Sequence, residues 1–209
     1  MDFESAAWEQ AYHRRKDLWA ENILQLPDLQ PGSRVLELGC GNAPTVMPFV
    51  QKGLQVIALD FSPTAVQTAF ELLRRTDTSD AILADARSIP FTQSSFDTVI
   101  ARHVIGHMSA PDRKTLTREI VRVVKPGGNI LFSGFSREDF RFNKGKPVEE
   151  GTLLRGTGIS THYFTEDEVL ALFEPLVCQS LVTERWKIRV RGTDYPRAGI
   201  RAIFKRQII

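Results

Sequence analysis

The chain has 209 residues, the size of one domain with a core that buries about 70% of its unfolded surface. Hydrophobic residues make up 42% of the chain and charged residues 25%, and the formal net charge of +2 is too small to indicate a nucleic-acid partner. Neither Cys40 nor Cys178 stands in a metal-binding cluster, and no apolar run has the roughly 20 residues of a membrane span. The composition predicts one cytoplasmic globular domain, residues 1–209, with no metal site and no membrane association, and it leaves the oligomeric state open.

The chain begins with a segment, residues 1–26, that the spacing of its large apolar side chains predicts to be a helix. These side chains are Trp8, Tyr12, Trp19, Ile23 and Leu26. The stripe either docks the helix on the rest of the domain or closes over a ligand, because aromatic faces attract cations. The second interpretation makes Tyr12 a candidate substrate contact.

The stretch Ser33–Ala43 reads S-R-V-L-E-L-G-C-G-N-A, an apolar run that becomes a glycine turn. Such a run is typical of a fully buried strand, and Gly39 and Gly41 let the backbone turn sharply and approach a ligand. With a helix predicted from Pro44 onward, this is the first unit of a nucleotide-binding α/β sheet. A dinucleotide fingerprint needs a small residue where Pro44 stands, and Glu37 would repel a pyrophosphate but suits a ligand that bears a cation.

Two further predicted strands end at acidic residues. Asp60 follows the apolar run 54–59 and lies 19 residues after Gly41, close to the spacing of about 20 at which an acid meets ribose hydroxyls in this architecture. Asp85 follows the run 81–84, where a carboxylate can accept a hydrogen bond from an adenine amino group. Because the carboxyl ends of parallel strands meet at one edge, both acids are expected there.

The fourth predicted strand, Phe96–Ala101, is followed by Arg102, His103 and His107. Ligands of open parallel sheets bind outside the carboxyl ends of the strands, so these side chains are expected at the site. His103 and His107 are candidate catalytic bases, since histidine titrates near neutrality, although histidine is also a common packing residue. A metal ion would need more ligands than this pair offers.

The part of the chain after the fourth strand continues the alternation. A helix that stops at K-P-G-G leads to a fifth strand, Asn129–Phe135. Residues 136–164 lack a regular period and predict a long substrate loop over the carboxyl edge. His162 and Tyr163 are its candidate substrate contacts, and a purely structural loop is the alternative.

The chain closes with a helix and two strand-like runs. Thr165 and Glu168 form a capping box, and the runs 185–191 and 200–204 predict an antiparallel hairpin. The basic face of the first run either meets an anionic acceptor or protects a sheet edge from aggregation.

Three motifs closely resemble those of the class I S-adenosylmethionine-dependent methyltransferases: V-L-E-L-G-C-G-N-A, A-D-A-R-S-I-P-F and V-K-P-G-G-N-I-L-F-S-G-F. The resemblance implies a three-layer α/β sandwich whose seven-stranded, mostly parallel Rossmann-like sheet ends in an antiparallel C-terminal hairpin. It also implies S-adenosylmethionine as the cofactor. The cofactor contacts that it implies are Glu37, Gly39, Gly41, Asp60, Phe61, Asp85, Ala86 and Arg102. An arginine at position 102 departs from the family, in which smaller or apolar residues are common there.

Methyl transfer from a sulfonium is a direct displacement, and alignment of donor and acceptor can lower its barrier by roughly 7–11 kcal/mol without a dedicated base. The fourth strand is followed by A-R-H-V rather than the N-P-P-Y or D-P-P-Y type of many nucleic-acid and glutamine amino-methylating relatives. This favours a small-molecule acceptor and no nucleic-acid partner. One alternative is a non-catalytic protein that binds the cofactor for regulation or assembly. Another is a nicotinamide-dependent oxidoreductase, against which Pro44 and Glu37 argue.

Overall fold

The structure, a computed structural model, describes residues 3–14, 28–41, 43, 46–76 and 78–208. The helices are α1 (Phe3–Arg14), α2 (Val46–Val50), α3 (Pro63–Leu73), α4 (Ala110–Val123), α5 (Glu166–Leu172) and a short 3-10 helix (Ile105–His107). The strands are β1 (Arg34–Leu38), β2 (Gln55–Asp60), β3 (Asp80–Leu83), β4 (Phe96–Arg102), β5 (Val124–Ser136), β6 (Lys146–Glu149), β7 (Thr152–Leu154), β8 (Ser160–Phe164), β9 (Val177–Val190) and β10 (Thr193–Lys205). No helix in these described ranges is both long and apolar enough to cross a membrane. The predictions on Trp19, Ile23, Leu26 and Pro44 fall outside the described residues.

Seven strands follow one another in the order β3-β2-β1-β4-β5-β10-β9. The first five are parallel and the last two antiparallel, which confirms the predicted sheet and its closing hairpin. The inner residues of β1, β2 and β4 are mostly apolar and buried, because helices cover the sheet on both faces. Their carboxyl ends meet at one edge, where β1 ends at Leu38, β2 at Asp60 and β4 at Arg102.

The side chains of β1 alternate between two cores. Leu36 and Leu38 belong to the core that includes α4 and α5, whereas Val35 packs with Phe49 of α2 and Leu73 of α3. All five side chains are at most 1% exposed. Burial of each side chain of this kind stabilises the fold by about 1.5–3 kcal/mol. The helices are thereby held on both faces of the sheet, as the predicted three-layer sandwich requires.

Capping residues mark the starts of two helices. Oγ of Ser62 accepts a hydrogen bond from the backbone N–H of Ala65 at 3.2 Å, and Pro63 occupies the first turn of α3. Thr165 and Glu168 form the capping box of α5 through reciprocal hydrogen bonds of 2.7 and 3.2 Å. An N-cap stabilises a helix by about 1 kcal/mol, and the predicted capping box of α5 is confirmed.

Residues 136–164, for which the sequence indicates a long loop, contain three short strands instead. β6, β7 and β8 form an antiparallel unit, and β8 also pairs in parallel with β5, where Tyr163 lies opposite Phe135. β4 pairs with β5 as far as Ser133, so β8 occupies the same side of β5 just beyond the end of β4. Strands of three to five residues are too short to display a reliable period, which is why the segment reads as irregular.

The closing hairpin is longer than the sequence predicts. β10 pairs with β5 from Lys205 to Gly199, which lies opposite Phe135. Residues 193–198 therefore run beyond the carboxyl edge of the parallel strands, still paired with β9. This overhang brings Arg197 to the edge at which the candidate site lies.

Candidate cofactor and acceptor site

Three of the predicted cofactor residues lie together at the carboxyl edge, because β1, β2 and β4 are neighbours in the sheet. Glu37 and Asp60 are buried, with 2% and 1% of their surface exposed. Arg102 lies opposite Glu37, with 4.0 Å between its Nη2 and the Oε1 of the acid. A buried carboxylate requires a partner, and the arginine that departs from the family pattern is such a partner.

The turn after β1 depends on two glycines in the left-handed region. Gly39 has a φ angle of +62° and Gly41 one of +52°. A Cβ atom on Gly39 would lie 2.9 Å from Val104, and one on Gly41 would lie 3.3 Å from the ring of Tyr12. Both the backbone and the space therefore require glycine, as the sequence predicts for a sharp turn.

The carboxylate of Asp60 ties this turn to the start of α3. Its Oδ2 accepts the backbone N–H of Gly41 and its Oδ1 that of Ser62, each at 2.9 Å. Burial raises the pKa of Asp60, and these two hydrogen bonds oppose the rise. Each carboxylate oxygen has two lone pairs, so ribose hydroxyls can bind the same group with the backbone bonds in place.

The predicted adenine contacts lie after β3 and β2. The side chain of Asp85 is 46% exposed and accepts a hydrogen bond of 2.6 Å from Nη2 of Arg87. Ala86 is buried, and Phe61 leaves 42% of its surface exposed. An adenine would meet a carboxylate that Arg87 already holds, and contact of these residues with a cofactor stays a prediction.

Helix α1 lies against this edge through two aromatic side chains. The ring of Trp8 contacts that of His107 edge-on, with 4.7 Å between their centroids. Tyr12 lies over Gly41 and hydrogen-bonds to Asp60. Burial, with the nearby charge of Asp60, raises the pKa of Tyr12, so its hydroxyl is protonated and donates. Closure of this helix over a bound ligand stays a prediction.

Glu9 fixes α1 to the start of α3. Its carboxylate accepts hydrogen bonds from the hydroxyls of Ser62 and Thr64. The sequence does not predict this contact, because no local pattern relates position 9 to a helix cap 53 residues later.

His103 and His107 both follow the end of β4. The ring of His103 stacks on that of Phe135, with 4.4 Å between centroids, and its backbone has a φ angle of +56°. Nδ1 of His107 lies 2.7 Å from the carbonyl oxygen of Ser160, so Nδ1 is assigned as the protonated nitrogen. Burial lowers the pKa of His107 to about 4. A group with this pKa takes up a proton poorly at pH 7, which weighs against His107 as a general base.

The two predicted acceptor contacts of β8 have different surroundings. His162 is buried, and its Nδ1 lies 2.7 Å from Oγ1 of Thr152 in β7. Burial lowers its pKa to about 4, and these contacts make it part of the packing between two strands. Tyr163 is fully buried, and its ring lies 6.2 Å from that of Phe135 at the end of β5.

Near Tyr163 lies a group that we call the arginine cluster: Asp139, Arg141 and Arg197. Oδ1 of Asp139 accepts a hydrogen bond of 2.9 Å from Nε of Arg141, and Oδ2 accepts one of 2.6 Å from Nε of Arg197. The two guanidinium groups lie 4.0 and 5.1 Å from the ring centroid of Phe135. The sequence does not predict the cluster, because 58 residues separate Asp139 from Arg197 and no motif contains both.

Comparisons with known proteins identify the family. A family model described as a methyltransferase domain matches residues 36–132. The tRNA N(3)-cytidine methyltransferase METTL2 of Bos taurus is 32% identical over 159 residues, which cover 68% of this chain and 42% of that protein. The tRNA N(3)-methylcytidine methyltransferase Mettl2 of Drosophila melanogaster is 30% identical over 197 residues, which cover 86% of this chain and 60% of that protein. The chain thus spans about half the length of the curated relatives that it matches.

A solved SAM-dependent methyltransferase of Methanosarcina mazei shares the fold. Its TM-score is 0.75 at 22% identity, over 89% of this chain and 100% of that one. With the sheet order and the matched domain, this places the protein in a class: the chain belongs to the class I S-adenosylmethionine-dependent methyltransferases. Its cofactor is S-adenosylmethionine. The family and the cofactor that the three sequence motifs imply are confirmed.

The prediction of a small-molecule acceptor without a nucleic-acid partner is wrong. Relatives that match two thirds or more of this chain are named as tRNA methyltransferases. The sequence A-R-H-V at the end of β4 differs from the motif that is associated with methylation of amino groups. This difference does not argue against methylation of other atoms of a nucleobase. The small net charge is no argument either, because it is an average over the whole chain and does not describe any one surface.

Proposed function

We propose that the chain transfers the methyl group of S-adenosylmethionine to a cytidine base of RNA. The observation that carries this proposal is the similarity to tRNA N(3)-cytidine methyltransferases. In one relative it extends over 86% of the chain, well beyond the matched domain of residues 36–132. A continuous match of that extent includes residues 136–164, which lie at the end of β5. An alignment that extends beyond the cofactor motifs into this segment supports a shared acceptor.

The chemistry of the acceptor atom fits the residues present. N3 of an unpaired cytosine carries a lone pair and no proton, so it can attack the methyl carbon directly while the C–S electron pair leaves with the sulfur. No proton has to be removed from N3, and a neutral His107 with a pKa of about 4 is no obstacle. Alignment of the two substrates then supplies most of the rate, by roughly 7–11 kcal/mol.

The cofactor residues have separate roles in this proposal. Asp60 holds the ribose hydroxyls, and the turn of Gly39 and Gly41 passes the methionine part of the cofactor. Asp85 binds the adenine amino group. The buried carboxylate of Glu37 favours the positive charge of the cofactor, as opposite charges attract strongly where water is excluded.

The test is incubation of the purified chain with bulk tRNA and S-adenosylmethionine that carries a labelled methyl group. After nuclease digestion, mass spectrometry of the nucleosides should find the label in 3-methylcytidine, and Asp60→Ala should lose most of it. Calorimetric titration with S-adenosylmethionine, S-adenosylhomocysteine and, as a control, NAD measures cofactor binding in parallel. Cofactor binding without label in any nucleoside would contradict the proposal and favour a non-catalytic cofactor-binding protein.

A further inference from the structure

The arginine cluster carries a net positive charge. Arg141 and Arg197 are 9% and 8% exposed, and Asp139, which accepts hydrogen bonds from both, is 2% exposed. Guanidinium groups stay protonated at neutral pH, so two of them on one carboxylate leave a positive charge unbalanced within the cluster. A buried charge is costly unless it is paired. The cluster is therefore suited to an anion.

Two buried hydrogen-bond donors at this place have no hydrogen-bond partner among the residues that the structure describes. One is the hydroxyl of Tyr163, whose side chain is fully buried, and the other is Nη2 of Arg197. Buried polar groups are nearly always hydrogen-bonded in folded proteins. Burial also raises the pKa of Tyr163, so its hydroxyl is protonated at neutral pH and can donate to an anion.

The ring of Phe135 connects the cluster with the end of β4. Both guanidinium groups of the cluster lie within 5.1 Å of its centroid, and the ring of His103 stacks at 4.4 Å. Arg155, in the connection from β7 to β8, adds a positive charge that acts on both Tyr163 and His107. The ring of Phe135 would thus lie between a group bound at the cluster and His103, which follows β4.

We propose that the arginine cluster and the Tyr163 hydroxyl form a phosphate-binding subsite, which holds a backbone phosphate of the acceptor RNA beside the base that receives the methyl group. The identity of that phosphate as part of RNA rests on the proposed function, whereas the affinity for phosphate rests on the geometry alone. A phosphate offers several oxygen acceptors, which match planar guanidinium groups and a hydroxyl donor. Contacts of this kind fix the register of a nucleic acid and carry no base specificity.

Tyr163→Phe is the sharpest test, because it removes one hydroxyl and keeps the ring. Since that hydroxyl has no partner in the described part of the chain, the variant should unfold at the midpoint of the wild type or above it. Its affinity for inorganic phosphate, measured by phosphorus NMR titration at constant ionic strength, should fall about tenfold, as expected for a hydrogen bond to a charged group. Tyr195→Phe is the matched control in the closing hairpin, where its ring contacts Phe140, and it should bind phosphate as the wild type does.

Arg197→Gln tests the charge. We expect at least a tenfold loss of phosphate affinity, of the order found for charge-assisted bonds, and a comparable rise in KM for RNA with a smaller change in kcat. A contact made equally in ground and transition states acts on KM. Arg185→Gln also removes an arginine, one that is exposed and pairs with Glu138, and it should change neither quantity. Circular dichroism checks the fold of each variant, and Tyr163→Phe decides the question if Arg197→Gln does not fold.

Different experimental results would contradict the phosphate-binding subsite and the proposed function. The subsite is overturned if the wild type does not bind phosphate, or if Tyr163→Phe and Tyr195→Phe bind it equally well. Phosphate binding through the cluster without methylation of any RNA would support the subsite and contradict the RNA acceptor. RNA methylation with an unchanged KM in Tyr163→Phe and Arg197→Gln would support the proposed function and show that the RNA does not bind at the subsite.

Discussion

The two sides of the carboxyl edge differ in how the chain builds them. On the cofactor side, Glu37 and Asp60 lie near the ends of strands that are neighbours in both sequence and sheet. On the acceptor side, Arg141, Tyr163 and Arg197 come from the connection after β5, a short strand and the closing hairpin. A site at the ends of consecutive parallel strands leaves a local signature in the sequence. A site that distant segments bring together leaves none.

The two sides also differ in the sign of their buried charge. The cofactor side buries the acids Glu37 and Asp60, which in the proposed function meet the positively charged cofactor and its ribose. The acceptor side buries two guanidinium groups on the single carboxylate of Asp139, which favour an anion. If the cofactor and RNA bind as proposed, each would meet buried charge of the opposite sign to its own, which would help to orient methyl donor and acceptor across the edge.

The largest expected effect is on the pH dependence of stability, where two buried histidines and the buried acid of the cofactor side respond in opposite directions. Burial lowers the pKa of His107 and His162 from 6.5 to about 4. Their contribution to the free energy of unfolding is complete above about pH 6.5 and is lost as the pH falls towards 4, by up to about 3 kcal/mol for each histidine. Asp60 acts the other way, because its raised pKa makes protonation favour the folded state.

Urea denaturation at about pH 7.5 and about pH 4.5 measures this difference. His107→Gln should lose less stability between the two pH values than the wild type does, since one group that resists protonation has been removed. An equal loss in both proteins would show that His107 titrates normally in the folded state.

The next largest effect is expected for Asp60→Ala on the cofactor side. The loss of hydrogen bonds to a carboxylate should weaken binding of S-adenosylmethionine by about 1.5–3 kcal/mol, or roughly 10- to 150-fold, in calorimetric titration. Asp97→Ala is the matched control at the opposite end of β4, where the acid binds Arg34 and Lys125. The Asp97→Ala variant should be less stable than the wild type, but its affinity for the cofactor should stay within about twofold of the wild-type value. An unchanged dissociation constant in Asp60→Ala would rule out its ribose contact.

A smaller effect is expected for Gly39→Ala, which tests the turn without changing any charge. The left-handed backbone should cost about 1–2 kcal/mol of stability, and contact of the new Cβ with Val104 adds to it. Gly32→Ala is the control, because Gly32 has a φ angle of +84° and a Cβ atom there would meet no described atom within 4 Å. Equal losses of stability in the two variants, measured by denaturation, would mean that Val104 moves aside. In that case the double variant Gly39→Ala/Val104→Ala would recover no stability relative to Gly39→Ala.

The smallest effect is expected for Tyr12→Phe, which separates the two interpretations of α1. If the helix closes over the cofactor, loss of the hydrogen bond to Asp60 should speed release of S-adenosylhomocysteine by about 2- to 10-fold in stopped-flow measurements. Slower release would mean that the tyrosine hydroxyl competes with the ribose for Asp60. An unchanged rate would leave Tyr12 as a docking residue.

The sequence predicts the five parallel strands, the cap at Thr165 and the family, because each depends on residues close together in the chain. It does not predict the strands within 136–164, whose pairing partners are too far away to leave a period. Nor does it predict the link from Glu9 to α3 or the arginine cluster, because each is made by contacts between distant segments. The prediction of the acceptor is wrong because it depended on a motif that is missing at the end of β4 and on the net charge, and neither identifies an acceptor.

The attachment of β8 has a consequence for the evolution of this domain. β8 joins β5 through two residue pairs, at Phe135 and Ser136, beyond the last pair of β4. A segment attached in this way can be lengthened, shortened or exchanged while the ladders among β1, β2, β4 and β5 keep their register. Residues 136–164 can then change, and with them the part of the acceptor side that this segment supplies, while the cofactor side at the ends of β1 and β2 stays the same.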